Sequence, residues 1–300
     1  MQTTNCVFLV RPASFSYNTE TAVSNTFQTV VEKSPKEIQE KALEEFDAFA
    51  AKLRQEGIQV QVFEDSSTPI KPDAIFPNNW ISIHADGTVV LYPMCTPNRR
   101  LERQQAVLNW LEKKEVFNTI IDYTIYEDQG RFLEGTGSII FDHVNKKAYA
   151  CLSPRTDQEL FENLMVHLGY QAISFNASDE NGVAIYHSNV MMSIGAGFSV
   201  ICLESIKADE ERQKVVKELE SSGLEVVAIS LEQVGNFAGN MLALQTDNCQ
   251  ILVLSQRAFD CLTIEQKQQI GQYAKLLPMP ISIIELIGGG SARCMIAEVF

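Results

Sequence analysis

The sequence predicts an α/β fold in which five ββαβ repeats close into a ring. Five amphipathic helical segments recur at roughly 50–60-residue spacing, which marks a repeat architecture. Each is followed by a short β-rich stretch, and most are preceded by two more joined by turn residues. The only glycine-rich run, Gly288 to Gly290, lies at the far end and precedes no helix, which argues against a doubly wound dinucleotide-binding sheet.

The elements follow in order. Cys6 to Val10 is a first strand. Ser34-Pro35 opens a helix through Leu53, with Ile38, Ala42, Phe46 and Phe49 on one face, and a Ser there can cap orphan N–H groups. The strand Ile58–Phe63 follows. The second repeat pairs Trp80–His84 with Thr88–Leu91 across Asp86-Gly87, then runs Asn98 to Lys113 as helix and Phe117–Asp122 as strand. The third pairs Ser138–Phe141 with Lys147–Cys151 around Asn145, with a helix from Thr156 to Leu168 and a strand Tyr170–Phe175. The fourth pairs Val190–Ile194 with Phe198–Leu203, then Ala208 to Ser221 as helix and Leu224–Ile229 as strand. The fifth pairs Met241–Gln245 with Gln250–Val253 across Asp247-Asn248, then Thr263 to Leu276 as helix and Ile281–Leu286 as strand.

At 300 residues the chain can bury roughly three-quarters of its unfolded surface, so its core needs neither disulfide nor metal. No linker stands out, and one domain over residues 1–300 is expected. Lys+Arg 24 against Asp+Glu 38 gives a net charge of −14, which argues against nucleic acid and anionic membrane surfaces as partners. No apolar run reaches the roughly 18 residues of a membrane span. The N-terminus has no basic region ahead of its short apolar run, so no secretory signal is expected. Seven Cys residues, an odd number without a CxxC pair, argue against a disulfide framework or zinc site and for a reducing cytoplasm.

Five segments could carry chemistry. In Ile287-Gly-Gly-Gly-Ser-Ala-Arg-Cys294, the glycines allow close backbone approach to a ligand, and Cys294 ends the same loop; a buried inert Cys ending a strand is the alternative. His187 and Asn189, two apart at a strand entrance, would share one face of an extended chain. Glu134 precedes a run of small residues ahead of a strand. Asp73 and the pair Asn78-Asn79 lie before Trp80, where Asn also serves turns. Arg99-Arg100 fall at a helix start, against the helix dipole, which hints at a role. Each segment sits at the edge of a different repeat, so the ring centre could gather them. Cys, His and Glu together form a set for covalent catalysis.

GGGSARCM, LEGTGS, HSN, FPNNW, PMCTPNRR and LSPRT together resemble the guanidine-modifying enzymes of the pentein, or amidinotransferase, superfamily, which includes arginine deiminase, dimethylarginine hydrolase and glycine amidinotransferase. The resemblance spans Arg11 to Cys294. Within it the segments Arg11–Gln28 and Phe237-Ala-Gly-Asn240-Met-Leu are most similar to the citrulline-utilisation hydrolase type. It implies a five-bladed β/α propeller with pseudo-fivefold symmetry. It further implies Cys294 as nucleophile, His187 as acid/base and Glu134 as the catalytic-site carboxylate. Asn79 and Asn189 stand where deiminases carry guanidinium-binding Asp residues. Arg99 and Arg155 fall where a substrate carboxylate is held, and Asp73 falls near the substrate amino group. No metal or organic cofactor is implied.

The two Asn residues are the informative departure. Paired carboxylates accept guanidinium N–H groups with charge assistance, whereas an amide offers one acceptor and donors. A neutral ureido group, with N–H donors and a C=O acceptor, suits Asn better. The expectation is therefore a cysteine hydrolase acting on a ureido or guanidino C–N bond of a small amino acid, with citrulline converted to ornithine. Arginine deiminase-like or dimethylarginine hydrolase-like activity and amidinotransfer are the alternatives, and a non-catalytic binding pentein is a further one. The sequence does not show an oligomeric state.

Overall fold

The computed structural model describes residues 1–23 and 25–300; Ser24, within the segment Arg11–Gln28, lies outside the described residues. The first blade takes β1 (Cys6–Arg11), α1 (Pro35–Gln55) and β2 (Gln59–Glu64). Ser34 caps α1 in a reciprocal capping box with Glu37. The second blade takes β3 (Ile81–Ile83), β4 (Thr88–Leu91), α2 (Pro97–Arg100), α3 (Gln105–Lys113) and β5 (Thr119–Asp122). The third takes α4 (Gly135–Ser138), β6 (Ile140–Asp142), β7 (Lys147–Cys151), α5 (Gln158–Leu168) and β8 (Gln171–Phe175). The fourth takes β9 (Met192–Gly195), β10 (Phe198–Ile201), α6 (Asp209–Ser221) and β11 (Glu225–Ala228). After α7 (Leu231–Gly235), the fifth takes β12 (Leu242–Gln245), β13 (Gln250–Ser255), α8 (Gln256–Cys261), α9 (Ile264–Gly271) and β14 (Lys275–Met279). The chain ends with α10 (Ser282–Gly288) and β15 (Ala297–Val299).

The result is five three-stranded sheets of one design: an inner strand antiparallel to the middle strand, and an outer strand parallel to it beyond a helical crossover. The first sheet borrows its inner strand from the other end of the chain. β15 pairs antiparallel with β1, placing Phe8 opposite Ala297, and this joins the last segment to the first blade. The inner strands β3, β6, β9, β12 and β15 face one another: β15 packs on β3, and β9 lies between β6 and β12. The helices seal the outside by packing between blades. Phe46, Phe49 and Leu53 of α1 share one apolar cluster with Leu244, Val253 and Leu277 of the fifth sheet. This is the five-bladed β/α propeller expected from the repeats. Among the described residues, no helix is long and apolar enough to cross a membrane.

Three elements differ from the sequence reading. The segment Asn98 to Lys113 is two helices, because the chain turns after Arg100 while Glu102 points inward to Arg99 and Arg103 to Glu127. The helix from Thr263 ends at Gly271, and the fifth parallel strand is Lys275–Met279 rather than Ile281–Leu286. The latter is part of α10: Ile281, Ile284 and Ile287 recur at helical spacing and are all buried, so packing overrides their strand propensity. The short β15 went unread.

Candidate active site

In every blade a single turn precedes the inner strand, and these turns deliver the candidate residues. A 3-10 turn at Pro77–Asn79 precedes β3, α4 follows Glu134 and precedes β6, and a 3-10 turn at Ser188–Val190 follows His187 and precedes β9. Asn240 closes a turn before β12, its N–H bonded to Phe237 O, and Cys294 closes one before β15, its N–H bonded to Ser291 O. Fivefold repetition of the fold thus brings five distant segments to one end of the ring.

His187 Nε2–H donates to Glu134 Oε2 at 2.8 Å, and both side chains are buried. Glu134 Oε1 accepts the backbone N–H of Cys95 at 2.9 Å, and Arg155 Nη1 lies 3.4 Å from Oε2. Burial alone would raise the Glu134 carboxyl, but Arg155, the His187 hydrogen bond and Arg99 bring it well below the usual carboxylate range. Burial pushes the His187 imidazole down to about 4 against the opposing pull of Glu134, so the ring is neutral at pH 7. With Nε2 carrying its proton to Glu134, Nδ1 holds the lone pair. The Cys294 side chain is buried, and its sulfur receives the side-chain N–H groups of Asn240 at 3.3 Å and Asn189 at 3.4 Å.

Arg99, fully buried, spends most of its donors on the protein. Nε and Nη2 grip Glu102 at 2.9 Å each, Nη2 also reaches Phe76 O at 3.1 Å, and Nη1 donates to Asn79 Oδ1 at 2.8 Å. Arg155 Nη2 donates to Thr21 O at 3.2 Å, and its guanidinium lies 5.0 Å from the Tyr186 ring centroid. Asp73 Oδ2 accepts from Asn18 and Thr21, whereas Oδ1 is buried without a hydrogen-bond partner. Burial raises the Asp73 carboxyl in spite of Arg99.

Asp73, Asn79, Arg99, Arg155, His187 and Cys294 line one cavity of about 20 Å³ together with Gly288, Gly289 and Gly290. Glu134 and Asn189 stand directly behind it, on His187 and Cys294. All eight residues singled out in the sequence are therefore gathered here. The cavity has room for about one water, since a water needs roughly 10–15 Å³ by this measure. The N-terminal segment closes it: Asn25 and Gln28 side chains donate to the carbonyls of Gly288 and Gly289. The three glycines permit this approach, because a Cβ on Gly288 or Gly290 would lie within 2.9 Å of the Phe76 ring, and one on Gly289 within 2.7 Å of Asn25.

Two sequence readings of local geometry are corrected. His187 and Asn189 do not share a face of an extended chain, because Asn189 lies in a 3-10 turn; the turn sends His187 toward Glu134 and Asn189 toward Cys294. Arg99 and Arg100 occupy the last turn of the four-residue α2, with Pro97 at its start, so they complement its dipole rather than oppose it. Two residues of the site lacked a role in the sequence reading. Asn240 appeared only within a similar segment, and Glu102 lay inside what read as one continuous helix.

Residues 11–300 match the family model described as "N,N dimethylarginine dimethylhydrolase, eukaryotic". No curated protein matches the chain. Among solved structures, the N-terminal domain of ArgZ, an arginine dihydrolase from the ornithine-ammonia cycle in cyanobacteria, is similar as a Cys-to-Ser variant bound to substrate. It is 16% identical with a TM-score of 0.75, over 98% of this chain and 97% of that one. Apo ArgZ, also cyanobacterial, is 17% identical with a TM-score of 0.75, and there the chain spans 40% of that protein's length. A dimethylarginine dimethylaminohydrolase, as a His-to-Gly variant in an adduct with S-methyl-L-thiocitrulline, is 12% identical with a TM-score of 0.64, over 97% of this chain and 98% of that one. At these identities the likeness shows the fold.

Proposed function

The chain belongs to the N,N-dimethylarginine dimethylhydrolase family, and from that premise we propose that it hydrolyses citrulline to ornithine through a covalent intermediate on Cys294. It is a hydrolase of non-peptide C–N bonds; the choice of a ureido substrate rests on its two asparagines.

One observation carries the choice. Arg99 can only donate, so its 2.8 Å contact assigns the Asn79 oxygen to Arg99 and leaves the –NH2 on the His187 side, where it meets the Glu134 backbone carbonyl at 3.4 Å and keeps a second hydrogen for a ligand. An amide donor there matches a carbonyl oxygen and repels guanidinium N–H groups. Asn189 supports the same reading from the other side. Its –NH2 faces Cys294, and its Oδ1 is buried without a partner, free to accept a ureido N–H. The site thus offers a donor and a neutral acceptor where a guanidinium wants two anionic acceptors. Glu134 is a single carboxylate, already shared among His187, Arg155 and the Cys95 N–H, and so does not amount to the two lost acceptors.

At the other end of the substrate, the unpartnered Asp73 Oδ1 suits an α-ammonium group, and Arg155 suits the α-carboxylate. Arg99, committed to Glu102 and Asn79, acts mainly by orienting Asn79.

The reaction then runs in two halves. The Cys294 thiol gives its proton to neutral His187 at Nδ1, and the thiolate attacks the ureido carbon. His187 returns the proton to the departing nitrogen, ammonia leaves, and an S-carbamoyl intermediate carrying the ornithine nitrogen remains. Water, deprotonated by His187, attacks that carbon; the C–S bond breaks and the sulfur recovers a proton. The carbamate formed decomposes, so citrulline and one water yield ornithine, ammonia and carbon dioxide. Glu134 holds the His187 ring and stabilises its protonated form. The segment over the cavity has to move aside for substrate entry.

Ammonia release from the purified protein, assayed separately with citrulline, arginine and dimethylarginine beside Cys294→Ala, tests this. Release from citrulline, lost in the variant, is expected. Faster release from arginine would turn the reading to a deiminase or dihydrolase, and loss of methylamines from dimethylarginine would turn it to the reaction for which the family is named.

A further inference from the structure

We propose that Asn240 is a catalytic residue, its side-chain N–H stabilising the Cys294 thiolate directly. This rests on Cys294 being the nucleophile and not on which substrate it attacks.

The thiolate is the reactive form of a cysteine, and it is usually favoured by a nearby cation or a helix N-terminus. The guanidinium groups of Arg99 and Arg155 line the same cavity, but among the described residues the direct Cys294 Sγ hydrogen-bond partners are Asn189 and Asn240. His187 is neutral and tied to Glu134. The donors in direct contact with the sulfur are therefore two amides, which act there as neutral donors do at an oxyanion.

The Asn240 amide cannot turn over. Its Oδ1 accepts the backbone N–H of Arg293 at 3.1 Å, and an amide nitrogen in that place would face a donor. Its –NH2 is consequently held toward the sulfur, one hydrogen for Sγ at 3.3 Å and the other for Asn189 O at 3.0 Å. The second bond also ties Asn240 to the backbone of the other donor. A thiol can also donate to Asn240 Oδ1 at 3.5 Å, a longer contact onto an oxygen that already accepts from Arg293. The two shorter contacts, from Asn240 and Asn189 N–H groups at 3.3 and 3.4 Å, are the ones that strengthen when the sulfur is a thiolate.

The turn that carries Asn240 is shaped for this placement. Phe237 adopts a left-handed φ of +61°, uncommon outside glycine. A Cβ on Gly239 would lie 2.4 Å from Val190 O and 2.7 Å from Met191 Cα, so only glycine lets this turn pack against the turn bearing Asn189. The segment Phe237 to Asn240, which the sequence marks without explaining, is the device that aims one amide at the nucleophile.

The test is the pH dependence of Cys294 alkylation by iodoacetamide, followed by peptide mass spectrometry, in wild type, Asn240→Ala and Asn240→Asp. Asn240→Asp keeps the acceptor for Arg293, loses both side-chain donors and adds a negative charge beside the sulfur, so Asn240→Ala is the variant that reads the lost donor alone. Hydrogen bonds to charged groups are strong enough that losing one should cost about tenfold in thiolate population. The midpoint should rise by about one pH unit in Asn240→Ala and further in Asn240→Asp. A merely structural role would change the limiting rate at high pH and leave the midpoint in place, and an unmoved midpoint in both variants overturns the proposal. Should the variants not fold, wild-type protein with 15N-asparagine decides. A side-chain amide proton that titrates with the alkylation midpoint is expected, and the absence of any such asparagine overturns it. Ammonia release is read separately, so a wrong substrate leaves this result untouched.

Discussion

Arg99 Nη1 donates to Asn79 Oδ1 at 2.8 Å, and this contact assigns the amide: oxygen to Arg99, –NH2 to the Glu134 carbonyl and the His187 side. Because Glu102 grips the same guanidinium with both oxygens, the orientation is built in rather than chosen by substrate. Replacing Asn79 by Asp keeps the bond to Arg99 and turns the inward donor into an acceptor. Citrulline kcat/KM should fall by about 10- to 100-fold, the cost of opposing a buried acceptor to a carbonyl oxygen. The Asn79→Asp, Asn189→Asp double variant should raise the arginine-to-citrulline turnover ratio further, since it restores two anionic acceptors. Parallel ammonia assays on both substrates check this, and an unchanged ratio would remove the argument for a ureido ligand.

The amino end gives an independent prediction. Asp73 Oδ1 is buried and unpartnered, while Oδ2 is already held by Asn18 and Thr21. Asp73→Asn should preserve much of that packing and lose the charge that meets an α-ammonium. KM for citrulline should rise by about tenfold or more, with kcat changed less. A substrate analogue without the α-amino group should bind wild type and variant equally. Equal losses for both compounds would place the effect of Asp73 in structure alone.

Gly137 marks how tightly the catalytic groups are set. A Cβ there would lie 2.2 Å from Asn79 Nδ2 and 2.8 Å from His187 Nδ1, so both would have to shift. Misplacement by about 1 Å can cost on the order of a hundredfold in rate. Gly137→Ala should therefore lose about that much kcat, measured well below its melting temperature so that the steric cost to stability is kept apart. Retained activity would show that Nδ1 is not the base proposed.

Much of this site was readable because it lies in turns, where chemistry-bearing residues stand out against the strand and helix pattern. Cys294 behind three glycines, His187 and Glu134 ahead of strands, and the ββαβ repeat itself all have local signatures. What was unreadable depends on partners far away in sequence. Nothing local in the segment Asn98 to Lys113 says that Glu102 turns inward to Arg99, and that interaction breaks the helix. Ile281 to Leu286 is rich in β-branched residues and reads as strand, yet Leu277 and Met279 take the place beside β13 and leave it helical. The strand β15 has only three residues and pairs with β1 across almost the whole chain. Asn240 carries no motif of its own; its importance comes from Gly239 and from the backbone of Arg293.

At the other end of the inner strands lie two histidines, His84 buried and His143 half-buried, with a consequence for acid stability. His84 hydrogen-bonds Ser82 at 2.9 Å, and His143 bonds the Tyr170 hydroxyl at 2.7 Å; their rings are 6.2 Å apart. Burial lowers His84 to about 4 and His143 to about 3, each further opposed by neighbouring positive charge such as Lys146. An unfolded histidine titrates near 6.5. Between those values the unfolded chain binds more protons, so the contribution of each ring is complete above about pH 6.5 and is lost as pH falls toward 4 and 3. Glu102 and Glu285, which burial raises to about 7, act in the opposite sense, being favoured folded when protonated. The comparison that isolates the histidine is therefore wild type against His143→Gln, which can still meet the Tyr170 hydroxyl. In urea titrations, the stability of wild type relative to the variant should decline by up to about 1.4 kcal/mol per pH unit as pH drops from 6.5 to 4.5. A difference that stays flat over that range would mean that the His143 ring keeps its ordinary affinity for protons.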